Sequence, residues 1–489
     1  MRLGSCAAKC SCCEEVSRRR FLATTSGSLV SATALGGWLS SRSALGGQMK
    51  PKGPAARCAA NVRACFVRRK ADYGMRWPGQ IYDGEAARKK YTQQITETAK
   101  QLGIKLALRP VPIHSLAEAD AWVAEAKSAK PDGLLVVLLD RQEHSWPTVG
   151  KAIESKIPTV VFSPVGSSFT SNTAGLARQP GCFICATDDF RQVQYGMKML
   201  QAIAKIRATR CLVIRGSKTA DATMPHLGIQ LRFVPAKTFL DEYNKTQVTD
   251  EVRAMAKEII QGARKQRGPT EQDVINGIKS YLVAQTMLES AQADAITMDC
   301  LGALGKSKVS LPCIAWSKMN DDGIPAACEA DLGAVASQVL VQYLFDRPGF
   351  QQDPVPETAR RAIIGAHCSC PTKLGGFSAD PEPYDITPHH GVRDATRRTI
   401  WRPGQRMTSV DVLPGSKDRP TKVLISAGEV LENVSVPPAG GCVVSVMVKF
   451  DGVDEVLNYP GFHQVFFYGD YKRQLVEFCR LAGLQPEVV

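Results

Sequence analysis

Residues 132–140 read DGLLVVLLD, a run of six aliphatic side chains between two aspartates. A continuous apolar run of this length predicts a β-strand that is buried on both faces. Strands of this kind belong to parallel sheets, because crossover helices cover both faces of such a sheet. The stretch therefore predicts an α/β fold.

The flanking sequence alternates between strand-like and helix-like segments. IKLALRPVPI (104–113) and IPTVVFSPV (157–165) are predicted strands, whereas LAEADAWVAEAKSA (116–129) and WPTVGKAIES (146–155) are predicted helices. A second series repeats the alternation. Its predicted helices are 189–206, 250–265 and 271–292, and its predicted strands or strand ends are 209–216, 295–304 and 312–320. Two successive Rossmann-like α/β domains with parallel sheets are expected.

The composition changes after Pro371. The segment 375–470 is rich in glycine, proline and short β-prone runs, and the helix 470–483 follows it. We therefore expect a smaller β-rich C-terminal domain. The predicted units are a leader (1–46), two α/β domains (47–185 and 186–374) and the β-rich domain (375–489).

The net charge of +14 is concentrated at the N-terminus. Residues 1–70 hold thirteen Lys and Arg against two acidic residues, so the other 419 residues carry only +3. A basic surface for phosphates would need clustered positive charge on the folded body. The charge distribution therefore argues against nucleic acid as a partner.

The leader has the order of elements of a bacterial export signal. Ser17-Arg18-Arg19 precedes Phe21-Leu22 and a weakly apolar stretch rich in Ser, Thr, Gly and Ala, which resembles a twin-arginine signal. The expected location is the periplasm, or the cytoplasm if the leader does not function. No small-x-small cleavage site stands out around residues 41–47, so a leader that is not removed and tethers the protein is an alternative.

Sixteen cysteines are present, and most of those in the body lie inside apolar runs, where buried and unreactive thiols are found. Cys182 and Cys185 form an isolated CxxC, which without a second pair predicts neither a zinc nor a redox site. His367, Cys368 and Cys370 lie within four positions. Successive strand residues point to opposite faces, so His367 and Cys368 cannot both face one site.

Three dispersed residues have the pattern of a metal site built from strand ends. Glu329 lies between an apolar run and a helix predicted from about Asp331 to Pro348, although a capping acid would occupy the same place. His367 ends an apolar strand, and His463 lies between a glycine turn and another strand. A satisfied core histidine is the alternative for each. Mixed oxygen and nitrogen ligands suit Mn²⁺, Co²⁺, Fe²⁺ or Zn²⁺.

Three stretches carry a family resemblance. They are residues 317–350 (SKMNDDGIPAACEADLGAVASQVLVQYLFDRPGF), 366–374 (AHCSCPTKL) and 461–484 (GFHQVFFYGDYKRQLVEFCRLAGL). Together they resemble the L-fucose isomerase / L-arabinose isomerase superfamily, mostly its shorter members. The resemblance implies two α/β domains, a β-rich C-terminal domain, Mn²⁺ dependence, a monosaccharide substrate and a homo-oligomer, trimeric or hexameric.

The resemblance also implies residue roles. Glu329 matches the catalytic, metal-binding glutamate, while His367 and His463 match metal-ligand positions. Asp299 falls where arabinose isomerases carry a second catalytic glutamate. His367 departs from the aspartate of fucose isomerases and Asp299 from the glutamate of arabinose isomerases, so the aldose specificity does not carry over.

The expected activity is a metal-dependent aldose–ketose isomerisation through a cis-enediol, in which Glu329 or Asp299 removes a carbon-bound proton. No dinucleotide or P-loop fingerprint is present, which agrees with a reaction that needs no organic cofactor. A lyase or epimerase would use the same chemistry. The alternative from another class is an exported, non-catalytic sugar-binding or sensing protein. His389 and His390 lie in a predicted polar loop and could line the sugar pocket, although a solvated loop is the simpler expectation.

Overall fold

A computed structural model describes residues 52–71, 74–76, 80–141, 143–305, 307, 309–389, 393–434 and 443–489. The predicted leader (1–46) and His390 lie outside the described residues. Residues Gln48–Val489 form one compact unit. Of the helices in the described ranges, none has the length and apolar character needed to cross a membrane.

The first part of the chain builds a five-stranded parallel sheet in the order β4-β1-β5-β6-β7, with β2 and β3 as a separate hairpin. The elements are, in chain order, β1 (Asn61–Val67), β2 (Gly74–Arg76), β3 (Gln80–Tyr82), α1 (Gly84–Leu102), β4 (Lys105–Leu108), α2 (Leu116–Ala129), β5 (Gly133–Leu138), α3 (Ser145–Glu154), β6 (Thr159–Ser163), α4 (Thr170–Thr173), β7 (Cys182–Ala186) and α5 (Arg191–Ala208).

The apolar run of β5 is buried on both faces, as its sequence predicts. Leu135 and Val137 belong to the core shared with α1 and α5, whereas Leu134 and Val136 belong to a second core beneath α2 and α3. The two cysteines of the CxxC lie in different cores, Cys182 beneath α3 and Cys185 beneath α5.

The second part builds another sheet in the order β13-β12-β8-β10-β9, parallel except for the edge strand β9. The elements are, in chain order, β8 (Arg210–Ile214), β9 (Ala220–Thr223), β10 (Gln230–Val234), α6 (Ala236–Lys245), α7 (Asp250–Gly262), β11 (Lys265–Gln266), α8 (Glu271–Ala291), β12 (Ala295–Met298), α9 (Cys300–Leu304), α10 (Cys313–Asp321), β13 (Ala326–Cys328) and α11 (Leu332–Phe345). The carboxyl ends of β12 and β13 lie side by side.

The prediction of a strand end at residues 312–320 is wrong, because Cys313–Asp321 is a helix. Eight of its nine residues are buried. Burial on all sides removes the polar face that would have revealed a helical period, and a short apolar run does not by itself distinguish helix from strand.

The C-terminal part closes six antiparallel strands into a barrel in the order β18-β21-β14-β15-β20-β19, with β19 returning to β18. The elements are, in chain order, β14 (Phe350–Glu357), β15 (Ala362–His367), β16 (Tyr384–His389), β17 (Arg393–Thr399), β18 (Arg406–Leu413), β19 (Lys422–Asn433), β20 (Val444–Phe450), β21 (Gln464–Tyr468), α12 (Lys472–Ala482) and β22 (Gln485–Val488).

The β-rich character of this part agrees with the sequence, but the barrel begins earlier in the chain than residue 375. Strands β14 and β15 precede that position, so His367 lies on a barrel strand. The fold is thus two parallel α/β sheets and a closed antiparallel barrel, rather than Rossmann-like units throughout. The barrel places its strand ends against the carboxyl end of β13.

Candidate metal centre

Glu329 directly follows β13 and stands in an unusual backbone conformation. Its φ is 64°, and that of Ala330 is 54°. Left-handed φ values cost a non-glycine residue about 1 kcal/mol or more, and they cluster at functional sites. The helix that follows is capped by Asp331, whose carboxylate accepts a hydrogen bond from the Ala334 N–H at 2.7 Å. Asp331 therefore does the capping, and the Glu329 carboxylate takes no part in it.

His367 is the last residue of β15 and is buried. Its Nε2 lies 3.7 Å from Oε1 of Glu329. The other ring nitrogen, Nδ1, lies 3.5 Å from Sγ of Cys368. Burial lowers the pKa of His367 to about 4, so the ring is neutral at physiological pH and offers a lone pair.

His463 approaches from the turn before β21, and its own φ is 51°. Its Nδ1 lies 3.0 Å from Oδ2 of Asp331, which holds the ring with Nε2 directed at Glu329. Nε2 lies 3.5 Å from Oε2 of Glu329 and 3.2 Å from Oδ1 of Asp353. A carboxylate on the remote nitrogen is the usual way in which proteins orient a metal-binding histidine.

The sequence reasoning did not identify Asp353. It lies on β14, where it pairs with Ala366 of β15, next to His367. In the sequence it is one acid in a strand of mixed polarity, with no spacing that ties it to Glu329. Only the pairing of β14 with β15 and β21 brings its carboxylate into the cluster.

The cluster holds buried polar atoms that have no hydrogen-bond partner within the described part of the chain. They are His367 Nε2, His463 Nε2 and Asp353 Oδ1, of which the last two lie 3.2 Å apart without the geometry of a hydrogen bond. One ligand atom each from Glu329, His367 and His463 lie within 4.8 Å of one another. Buried polar groups are rarely left unsatisfied without a bound ion or water. Two imidazole nitrogens and carboxylate oxygens facing one point fit a divalent cation.

The electrostatics of the cluster suit a bound cation. Burial raises the pKa of Glu329, and the neighbouring carboxylates Asp353, Asp331 and Asp299 add to the increase, although His463 opposes it. Burial alone would lower the pKa of His463, but Asp331 and Asp353 outweigh it and raise that pKa to about 10. The histidine proton thus supplies the counter-charge that a cation would otherwise supply.

Asp299 lies at the carboxyl end of β12, beside β13, but its side chain is engaged elsewhere. Oδ1 accepts a hydrogen bond from the Gly302 N–H at 2.9 Å and so caps α9. The structure brings Glu329, His367 and His463 together with Asp353, whereas no direct contact joins Asp299 to these residues within the described chain. The charge of Asp299 still acts on the pKa of Glu329.

The mouth of the cluster is open to solvent. The side chain of Glu329 is 36% exposed, and Phe462, 60% exposed, packs its ring 4.4 Å from that of His463.

The expectation of a polar loop at His389 is wrong, because that residue ends strand β16 and is buried.

No family model matches the chain, and no curated protein matches it. Solved structures give low similarity. An ABC-transporter periplasmic solute-binding protein from Actinobacillus succinogenes with bound D-allose is 13% identical, with 55% of this chain and 77% of that chain covered and a TM-score of 0.18. A sugar-binding protein of a sugar ABC transporter from Bacillus halodurans is 13% identical, with 61% and 91% covered and a TM-score of 0.17. Similarity this low does not establish a common fold or ligand.

Proposed function

We propose that the protein is a divalent-metal-dependent enzyme, and that it interconverts an aldose and a ketose. One observation carries the proposal: the ligand atoms of Glu329, His367 and His463 lie within 4.8 Å of one another, and both histidine Nε2 atoms are buried without a hydrogen-bond partner in the described chain. The resemblance to the fucose and arabinose isomerases is the second support.

Glu329, His367 and His463 would hold the ion, and Asp353 lies on the same side of His463 as Glu329, 3.2 Å from Nε2. A bound Mn²⁺-type ion supplies Lewis acidity, which makes a hydrogen next to a sugar carbonyl easier to remove. Asp331 keeps the His463 ring oriented and its Nδ1 proton in place. Because Nδ1 carries that proton, Nε2 is the nitrogen that faces the ion.

The chain's own carboxylates can carry out the proton transfers. In an aldose–ketose isomerisation one proton leaves the carbon next to the carbonyl and one arrives at the former carbonyl carbon, while the hydroxyl proton of the first carbon moves to the former carbonyl oxygen. Nothing is oxidised or reduced overall. Glu329 and Asp353 both lie within 3.5 Å of His463 Nε2, and the raised pKa of Glu329 suits a group that accepts and returns a proton. Asp353, rather than Asp299, is thus the better-placed second carboxylate.

The test is metal content and turnover of the full-length protein. We expect about one Mn²⁺ per chain and ketose formation from a pentose, hexose or deoxyhexose. Glu329→Gln and His463→Asn should each lower turnover about 100-fold or more. The matched control is His226→Asn, because His226 also has a left-handed φ, of 63°, and lies outside the cluster. Turnover that survives both cluster variants would exclude the proposal.

The second candidate is a non-catalytic sugar-binding protein, the class named for both solved structures above. One observation favours it: the order of the first sheet reverses between β1 and β5, and open α/β sheets bind ligands at the carboxyl ends of the strands at such a switch point. His114 Nδ1 and His144 Nε2 both contact the Arg68 carbonyl oxygen there, at 2.8 and 3.3 Å. Equal sugar binding with and without metal, and no turnover, would favour this candidate.

A further inference from the structure

A group of buried cysteines lies behind the candidate metal centre. Four thiols, those of Cys300, Cys328, Cys368 and Cys313, lie close enough together that each acts on the pKa of at least one other. All four are at most 5% exposed. They come from the first turns of α9 and α10, the end of β13 and the residue after β15. The group therefore could not be predicted from the spacing of cysteines in the sequence.

Buried His389 completes the group. One ligand atom each from Cys313, Cys368 and His389 lie within 4.8 Å of one another. Cys328 adds a further sulfur, because its ligand atom lies within 4.8 Å of that of Cys368. Cys370 is not part of the group, since it packs in a separate core with Trp401.

We propose that Cys313, Cys368, His389 and Cys328 form a second metal site, which binds a thiophilic cation, Zn²⁺ in particular. Three thiolates and one imidazole are a common ligand set for structural zinc. Zn–S bonds of about 2.3 Å and Zn–N bonds of about 2.0 Å place tetrahedral ligands roughly 3.5 Å apart. Cys313, Cys368 and His389 therefore need only a small contraction, and Cys328 would move towards them to complete the tetrahedron.

The chemistry of the donors separates this site from the first one. Soft sulfur ligands select Zn²⁺ over Mn²⁺, whereas carboxylate and imidazole ligands accept either ion. The two sites lie back to back, because Glu329 and His367 are the immediate chain neighbours of Cys328 and Cys368.

Complete burial makes the site structural rather than catalytic. An ion enclosed at this depth would be loaded as the chain folds and released when it unfolds. It would tie α10, β13 and β15 together directly behind the residues that form the Glu329 cluster. The site therefore positions that cluster without touching a substrate.

The test uses Co²⁺ in place of Zn²⁺ in the full-length protein, because thiolate ligands give Co²⁺ a strong near-ultraviolet charge-transfer absorption. We expect that band with about one equivalent of Co²⁺. Glu329→Gln should keep it, since that variant alters only the other site. Cys313→Ser and Cys368→Ser should abolish it. The control Cys211→Ser, at an equally buried thiol in β8, should retain it.

A second measurement covers the case in which the cysteine variants do not fold. X-ray absorption at the zinc edge of the unmodified protein should show sulfur neighbours at about 2.3 Å. A folded protein that binds Co²⁺ or Zn²⁺ with only nitrogen and oxygen neighbours would overturn the proposal. So would a charge-transfer band that survives Cys313→Ser and Cys368→Ser, or isolation of the group as a Cys328–Cys368 disulfide.

Discussion

Replacing Asp331 with asparagine should weaken metal binding while leaving the fold intact. Asp331 has two separable roles, because Oδ1 caps α11 through the Ala334 N–H and Oδ2 holds Nδ1 of His463 at 3.0 Å. Asparagine caps a helix about as well as aspartate does. It removes the negative charge that orients the imidazole and makes its Nε2 a stronger ligand.

The expected loss follows from that geometry. Removing the carboxylate partner of a metal-bound histidine typically costs 10- to 100-fold in metal affinity. At 1.4 kcal/mol for each factor of ten, this is about 1.4–2.8 kcal/mol of binding free energy. Asp331→Ala should lose the same amount, and it should also lower the free energy of unfolding by about 1 kcal/mol because the cap is lost.

The assay is calorimetric titration of metal-free, full-length protein with Mn²⁺, together with thermal unfolding of the same samples. The control is Asp83→Asn, which makes the same change at the exposed cap of α1, remote in the fold from the cluster. It should leave Mn²⁺ affinity unchanged. Wild-type Mn²⁺ affinity in Asp331→Asn would refute the reasoning, because His463 would then not depend on Asp331.

Three further predictions concern protonation, packing and a buried ion pair. The folded-state pKa of His463, about 10, lies above the ordinary 6.5, so its proton stabilises the metal-free protein and this stabilisation is lost as the pH rises towards 10. Mn²⁺ must displace that proton, so calorimetry in two buffers at pH 7 should show about one proton released, and an affinity independent of pH between 7 and 9 would contradict this. Gly365→Ala should destabilise by about 1–3 kcal/mol, since the new Cβ would lie 2.6 Å from Phe466 Cε2, whereas Gly150→Ala, with open space around it, should not. Asp321→Ala should cost about 3–5 kcal/mol in a denaturant titration, because it leaves buried Arg397 without its partner at 2.8 Å. The exposed pair of Asp221 with Arg232 is the comparison, and Asp221→Ala should cost less than about 1 kcal/mol.

Strand and helix periodicity was enough to predict most of the α/β part. The run at 132–140 is apolar because both faces of β5 are covered, and an apolar run of this kind can be recognised in the sequence alone. Helix α11 could also be predicted from the sequence, because the N-cap residue Asp331, the helical spacing of apolar residues and the terminating Pro348 follow one another in a single stretch. Helix α10 was missed because burial on every side erases the period.

In the candidate site, too, some residues could be identified from the sequence and others only from the structure. Glu329, His367 and His463 could be singled out in the sequence because each follows or precedes an apolar strand, where side chains of strand ends meet. Asp353 could not, because its place beside His463 depends on closure of the barrel between β14, β15 and β21. The cysteine group was hidden for the same reason, since its members lie on separate segments. Local patterns in the chain determine which residues stand at element ends, whereas long-range strand pairing alone decides which of those ends face one another.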